Sequence, residues 1–314
     1  MGKSAITLIT IAVILAYALF VEWAWGWASI LQGWQAVGLG AVLGAVALLV
    51  STYFVRAHRI HDYFPNETRG RFFWLFRVTQ VHNLLNTMLP FRLGETSFPL
   101  LMRSEFGVPV ARGAAALLVM RLLDMQALLA AAGIGLVSHT GYTWWAWVLW
   151  LTFLIAPVLL FPLRNVVMRS ADNVLPARLS HIVDQVSQGV PQSWTMFLRV
   201  WVLTVFNWGV KMAVLAWVLW IMGVRPFAAI FGAALGGELS SVLPIHAPGG
   251  VGTYPASIVA GAVAFGAKNE ANAMDLLARA AINTHLMIVV SALAGTALSL
   301  LLAGFSSHQQ PKLK

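Results

Sequence analysis

The chain has 314 residues, of which 59% are hydrophobic and only 10% charged, with a mean hydropathy of +0.78. A soluble domain carries about 25% charged residues, so this chain cannot cover itself with a polar surface and reads as a polytopic membrane protein. The formal net charge of +9 is expected to orient loops and meet anionic headgroups, not to bind nucleic acid, and the absence of cysteine excludes disulfides, thiolate metal sites and a cysteine nucleophile.

The first apolar segment runs from about Ala5 to Val21. Glu22-Trp23-Ala24-Trp25 follows it without a small-x-small cleavage pattern, so a retained helix is expected and not a removed signal. A second segment covers about Trp34 to Val55. After it come Arg56, His58, Arg59, His61, Arg69, Arg71 and Arg77. Lysine and arginine accumulate in cytoplasmic loops. The run is therefore expected to form such a loop, with Lys3 and the N-terminus on the same side. Trp23, Trp25, Trp27 and Trp34, and later Trp144, Trp145 and Trp147, suit the aromatic belts at membrane interfaces.

Phe72 to Leu89 is apolar but interrupted by Arg77, Gln80, His82, Asn83 and Asn86, and it ends at Pro90. Thr96 to Phe106 follows. Neither piece reaches the roughly 18–20 apolar residues of a membrane span. Two half-helices entering and leaving from one face are expected, since irregular backbone at membrane depth is tolerated where protein or a wet cavity surrounds it. Ala114 to Val137 is a full span and Trp144 to Leu163 returns. Arg164 to Pro191 is the longest polar connection. Leu179, Ile182, Val183, Val186 and Val190 fall near helical spacing within it and predict an amphipathic interfacial helix over about 175–190. Trp194 to Met222 spans outward. Phe227 to Leu243 and Thr253 to Ala267, broken between Pro244 and Gly252, form a second interrupted pair entered from the opposite side. Leu276 to Ala303 then returns the C-terminus to the cytoplasm.

The expected fold is an all-α polytopic membrane protein, a single transmembrane domain over residues 1–314, with about six full spans and two re-entrant helical hairpins. Both breaks read Leu-Pro, one further residue, a side chain that is or can become cationic (Arg92 or His246), then glycine and a later proline. Broken elements in corresponding positions point to an inverted repeat, here halves 1–137 and 143–303, with a binding site between them.

The polar residues of the apolar segments are the site candidates. Arg92 and Glu95 lie just beyond Pro90. They either pair to hold a broken hairpin together, or Arg92 receives an anionic headgroup while Glu95 orients it; a guanidinium stays protonated and its planar fork suits phosphate oxygens. Arg121 and Asp124 stand three apart on one helix face. They form a local pair, or they reach the first hairpin, Arg121 to Glu95 and Asp124 to Arg92. In the second hairpin Glu238 precedes the break, and Lys211 either snorkels or pairs with it. His246 takes the place of Arg92 and is either a hydrogen-bonded structural residue or a proton carrier. Gly249 and Gly250 either mark a tight turn or turn backbone N–H groups toward an anion. Asp275 and Arg279, four apart, suit a surface pair.

Several chemistries have no motif. There is no GxxxxGK[ST] loop, no HExxH, no G-x-S-x-G elbow and no histidine–carboxylate cluster, so neither a metal nor another cofactor is expected, nor an enzyme. Three stretches instead resemble the transmembrane, flippase-like region of lysylphosphatidylglycerol synthases and their stand-alone relatives. They are Asn86-Thr-Met-Leu-Pro90-Phe-Arg92-Leu-Gly94-Glu95, Arg121-Leu-Leu-Asp124, and Leu243-Pro244 followed by Pro248-Gly249-Gly250-x-Gly252. Met120 and Pro255 stand where that family often has glutamate.

The resemblance implies lipid handling in a bacterial inner membrane. No stretch corresponds to the synthetase domain of the fused proteins, so the chain is not expected to make lysylphosphatidylglycerol by itself. The reading that follows is a lipid transporter or flippase for an anionic or polyprenyl-linked lipid. Arg92, Glu95, Arg121, Asp124, Glu238, His246, Gly249 and Gly250 would line its site. The alternative is a scaffold subunit whose partner is an enzyme of envelope lipid or glycan synthesis.

Overall fold

The computed structural model describes residues 3–139, 143–164, 180–241 and 247–307. These residues are helical with short connections, and there is no strand among them. The helices are α1 (Lys3–Ala24), α2 (Trp27–Val37), α3 (Leu39–Tyr63), α4 (Phe72–Met88), α5 (Ser97–Phe106), α6 (Val110–His139), α7 (Trp144–Leu160), α8 (Ser180–Gln188), α9 (Trp194–Ile221), α10 (Phe227–Ser240), α11 (Thr253–Ala264) and α12 (Ala271–Ser307).

Among the described residues, five helices are long and apolar enough to cross a membrane: α3, α6, α7 with its terminal turn, α9 and α12. A sixth span results if α1 and α2 count as one element, bent by 81°. The bend falls at Gly26, whose φ of 74° lies in the region that L side chains avoid. The sequence placed the second span from Trp34 to Val55. Instead Trp27–Val37 belongs to the bent pair, and a new helix starts after Gly38.

That helix, α3, overturns a second expectation. It runs to Tyr63, so Arg56, His58, Arg59, His61 and Asp62 are helical residues and not part of a loop. No glycine or proline interrupts the chain between Gly44 and Pro65, and the residue before a proline is pushed out of helical conformation. The helix therefore stops near Pro65. Arg59 and Asp62 are buried, and Asp62 pairs with Arg199 at 2.9 Å near the start of α9. The side-chain oxygen of Ser193 caps α9 by accepting from Met196 N at 3.2 Å.

Two pairs of shorter helices pack against each other. A 3-10 turn over Pro90–Thr96 joins α4 and α5. It folds back so closely that a Cβ on Gly94 would overlap the backbone of Asn86. The second pair, α10 and α11, has the most extensive contact of any two elements. Small residues make this contact: a Cβ on Gly236 would overlap the Ser257 carbonyl, and one on Gly261 the Gly232 carbonyl. Such small-residue seams let helix backbones touch. The amphipathic helix expected over 175–190 is represented among the described residues by α8. It packs on α6, where Gly189 meets the Arg112 carbonyl.

The buried apolar side chains fall into two large groups. One joins Leu49, Leu128, Met212, Leu215, Ile230 and Ile258 from α3, α6, α9, α10 and α11. The other joins Ile60, Leu75, Phe98, Met102, Leu123 and Val200 from α3, α4, α5, α6 and α9. Single helices pass from one group to the other, α6 between Leu123 and Leu128 and α9 between Val200 and Trp208. Asp124 lies at the α6 crossing.

Candidate functional site

At the crossing on α6, Asp124 is 4% exposed. A carboxylate so placed needs charged or hydrogen-bonding partners. Arg59 supplies both of its Nη atoms, Nη1 to Oδ1 at 2.5 Å and Nη2 to Oδ2 at 3.2 Å, and its Nη1 also reaches Thr204 Oγ1 at 2.8 Å. Trp208 Nε1 donates to Asp124 Oδ1 at 2.9 Å. Arg121 approaches Asp124 Oδ2 at 3.5 Å from one turn earlier.

Arg121 makes its shorter contacts with Glu95 in the α4–α5 turn, Nη2 to Oε1 at 3.0 Å and Nε to Oε2 at 3.2 Å. The local Arg121–Asp124 pair and the link from Arg121 to the first hairpin therefore coexist. The main cationic partner of Asp124 is Arg59, which the sequence reading assigned to a loop. Arg92 sits in the Pro90–Thr96 turn, and its side chain lies outside the described residues.

The second hairpin contributes Glu238, 2% exposed at the end of α10. Lys211 Nζ of α9 donates to its Oε2 at 2.7 Å, and the Tyr254 hydroxyl to its Oε1 at 2.9 Å. The lysine pairs with the glutamate instead of snorkelling. Gly249 and Gly250 take φ of 67° and 72° in the turn before α11. Gly250 N donates to the Ala247 carbonyl at 2.8 Å, within the turn itself. The Gly249 carbonyl instead accepts from His285 Nε2 of α12 at 2.8 Å, and the His285 ring stacks on Tyr254 at 5.3 Å between centroids. His246 lies outside the described residues.

These groups enclose a cavity of about 290 Å³. Its walls include Tyr53 and Arg56 of α3, Asn83 and Asn86 of α4, Arg121 and Asp124 of α6, Lys211 of α9, Glu238 of α10, and Gly249, Gly250 and Tyr254 from the second hairpin. Residues near the end of α4 and in the Pro248–Gly250 turn thus face one space. Leu122 also lines the cavity and is 63% exposed, so the space reaches the outer surface of α6. Among the described residues, no three histidine, aspartate or glutamate side chains stand close enough to hold a metal ion.

Of the residues singled out from the sequence, Arg121, Asp124, Glu238, Gly249 and Gly250 line the cavity, and Glu95 stands behind Arg121. Sequence reasoning missed Tyr53, Arg56, Asn83, Trp208, Tyr254 and His285. Tyr53, Arg56 and Arg59 carry a usable signal in their i, i+3 spacing. The aromatic residues and His285 have none apart from the fold.

No curated protein and no solved structure matches the chain. One family profile does, described as the lysylphosphatidylglycerol synthase TM region, and it aligns over residues 7–291. With that alignment over nearly its whole length, this multi-span membrane protein belongs to the lysylphosphatidylglycerol synthase TM region family.

Proposed function

We propose that the protein is a lipid transporter or flippase that moves an anionic or polyprenyl-linked lipid across a bacterial inner membrane. Both termini lie in the cytoplasm, and the two helical hairpins are re-entrant elements of an inverted repeat. The observation that carries this reading is the cavity: a space walled by five charged side chains, set among apolar helices, and reaching the surface beside Leu122. Charges inside membrane segments are costly and mark substrate paths by default. In this reading the headgroup enters the cavity while the tails stay in lipid alongside α6. One half of the repeat then rocks against the other to change the side of access. The protein acts without bond-making chemistry.

The test is flipping of fluorescent lipids in proteoliposomes of purified protein, scored by a membrane-impermeant quencher. Wild type is expected to move an anionic lipid faster than empty vesicles. Leu122→Trp (L122W), which narrows the mouth without touching a charge, is expected to slow it. Wild-type vesicles no faster than empty ones, across anionic and polyprenyl-linked lipids, would defeat the transport reading and turn attention to a scaffold role.

A further inference from the structure

Among the described residues, the cavity and the ion pairs beside it hold one cation more than their carboxylates can neutralise. Among the described residues of the network, Arg56, Arg59, Arg121 and Lys211 face Glu95, Asp124 and Glu238. Asp124 is held by Arg59, Glu95 by Arg121 and Glu238 by Lys211. The remaining cation is Arg56. Among the described residues, it donates from Nη1 to the Asn83 side-chain oxygen at 2.9 Å, and its buried Nε meets no acceptor there. A guanidinium offers five donors in a rigid fork, so most of the hydrogen-bonding capacity of Arg56 is unspent within the protein. It lines the same wall as Asn86, whose buried side-chain oxygen also lacks a partner.

We propose that Arg56 anchors the phosphodiester of a lipid headgroup that carries one negative charge and a hydroxylated substituent; this rests on the lipid-transport reading above. The fork of Arg56 meets two phosphate oxygens, as guanidinium–phosphate pairs do. A headgroup hydroxyl donates to the open oxygen of Asn86. One negative charge matches the single unmatched cation. A diphosphate brings more charge than the described residues can balance, and an uncompensated charge in such surroundings is unfavourable. A free phosphate ester shares the anionic oxygens, but the mouth beside exposed Leu122 favours a ligand with tails.

The test compares lipid retention by native mass spectrometry for wild type, R56Q, R56K and N83D. Asn83→Asp keeps Arg56 in place and gives it a carboxylate where the Asn83 oxygen now stands. The probes are dioctanoyl phosphatidylglycerol, dioctanoyl phosphatidylcholine, farnesyl diphosphate and inorganic phosphate. Wild type is expected to prefer phosphatidylglycerol over each other probe by about tenfold or more. R56Q and N83D are expected to lose that preference and R56K to keep part of it, as a point charge replacing a bidentate fork would. Thermal unfolding of each variant shows which are folded; should R56Q fail to fold, N83D decides. Folded variants that retain phosphatidylglycerol like wild type, tighter binding of farnesyl diphosphate, or displacement of the lipid by equimolar inorganic phosphate would each overturn the proposal. Flipping assayed on the same preparations separates the two claims. Binding that needs Arg56 without any flipping leaves the site and removes the transporter. Flipping that survives in R56Q removes the site and leaves the transporter.

Discussion

The Arg59 guanidinium grips both carboxylate oxygens of Asp124, at 2.5 and 3.2 Å, from a helix 65 residues earlier in the chain. Both residues are almost fully buried. The pair fastens α3 to α6 at the place where the two apolar groups meet, and Thr204 and Trp208 bring in α9.

Removing one member of such a pair leaves a buried charge uncompensated, which costs about 3–5 kcal/mol. R59A is therefore expected to lower the midpoint of unfolding sharply or abolish folding. The double change R59M/D124L removes both charges and is expected to recover much of the loss. Unfolding of detergent-purified protein, followed by the fraction remaining monodisperse, measures both. A single variant as stable as wild type would contradict the pairing.

The Lys211–Glu238 pair makes a parallel prediction with opposite bookkeeping of charge. K211E places two carboxylates together and is expected to destabilise the α9–α10 contact. The swapped double K211E/E238K restores an ion pair. Recovery in the double is expected to be partial, because the Tyr254 hydroxyl that donates to Glu238 would face an ammonium group that accepts nothing. Expression level and gel-filtration profile of the three proteins report the order.

His285 links α12 to the second hairpin through the Gly249 carbonyl. His285→Phe keeps a ring to stack on Tyr254 and deletes the Nε2 donor. Loss of about 1–2 kcal/mol of stability is expected from one unmet hydrogen bond, with faster proteolysis near the Pro248–Gly250 turn. A proteolysis pattern unchanged from wild type would show that the bond does not hold the turn.

The chain contains no cysteine, so single cysteines report without background. S241C and N86C, both on the cavity wall, are expected to react with a small charged thiol reagent in intact membranes. L149C, on the exposed apolar face of α7 (Leu149 is 61% exposed), is expected to stay unlabelled because lipid covers it. Labelling of L149C with S241C silent would reverse the assignment of polar cavity and lipid face.

Some of this arrangement was legible from residues alone. The apolar segments announced an all-helical membrane protein, and glycine and proline marked the breaks at both hairpins. Asp275–Arg279 followed from spacing, and Arg121–Glu95 and Lys211–Glu238 were each one of two alternatives that the residues left open: charges in an oily chain must find a partner or reach water. Arg56 and Arg59 were misplaced for the same reason that the other charges were found. A run of arginine and histidine after an apolar stretch has the composition of an interfacial loop. The uninterrupted helix-compatible stretch as far as Pro65 was the better guide, since a helix ends where its backbone is obstructed and not where its polarity changes. The partners of that run, Asp124, Thr204 and Asn83, come from three other helices, and no local pattern announces them.

The division of the buried apolar side chains into two groups has a mechanical consequence. Where α6 passes from one group to the other, Asp124 forms ion pairs with Arg59 and Arg121. Because α3, α6 and α9 run through both groups, a rearrangement there would exchange counter-ions between continuous helices and would not separate the groups. A cation with no carboxylate of its own among the described residues, as Arg56 is, works there like the empty square of a sliding-tile puzzle: it leaves one position for a visiting anion to fill.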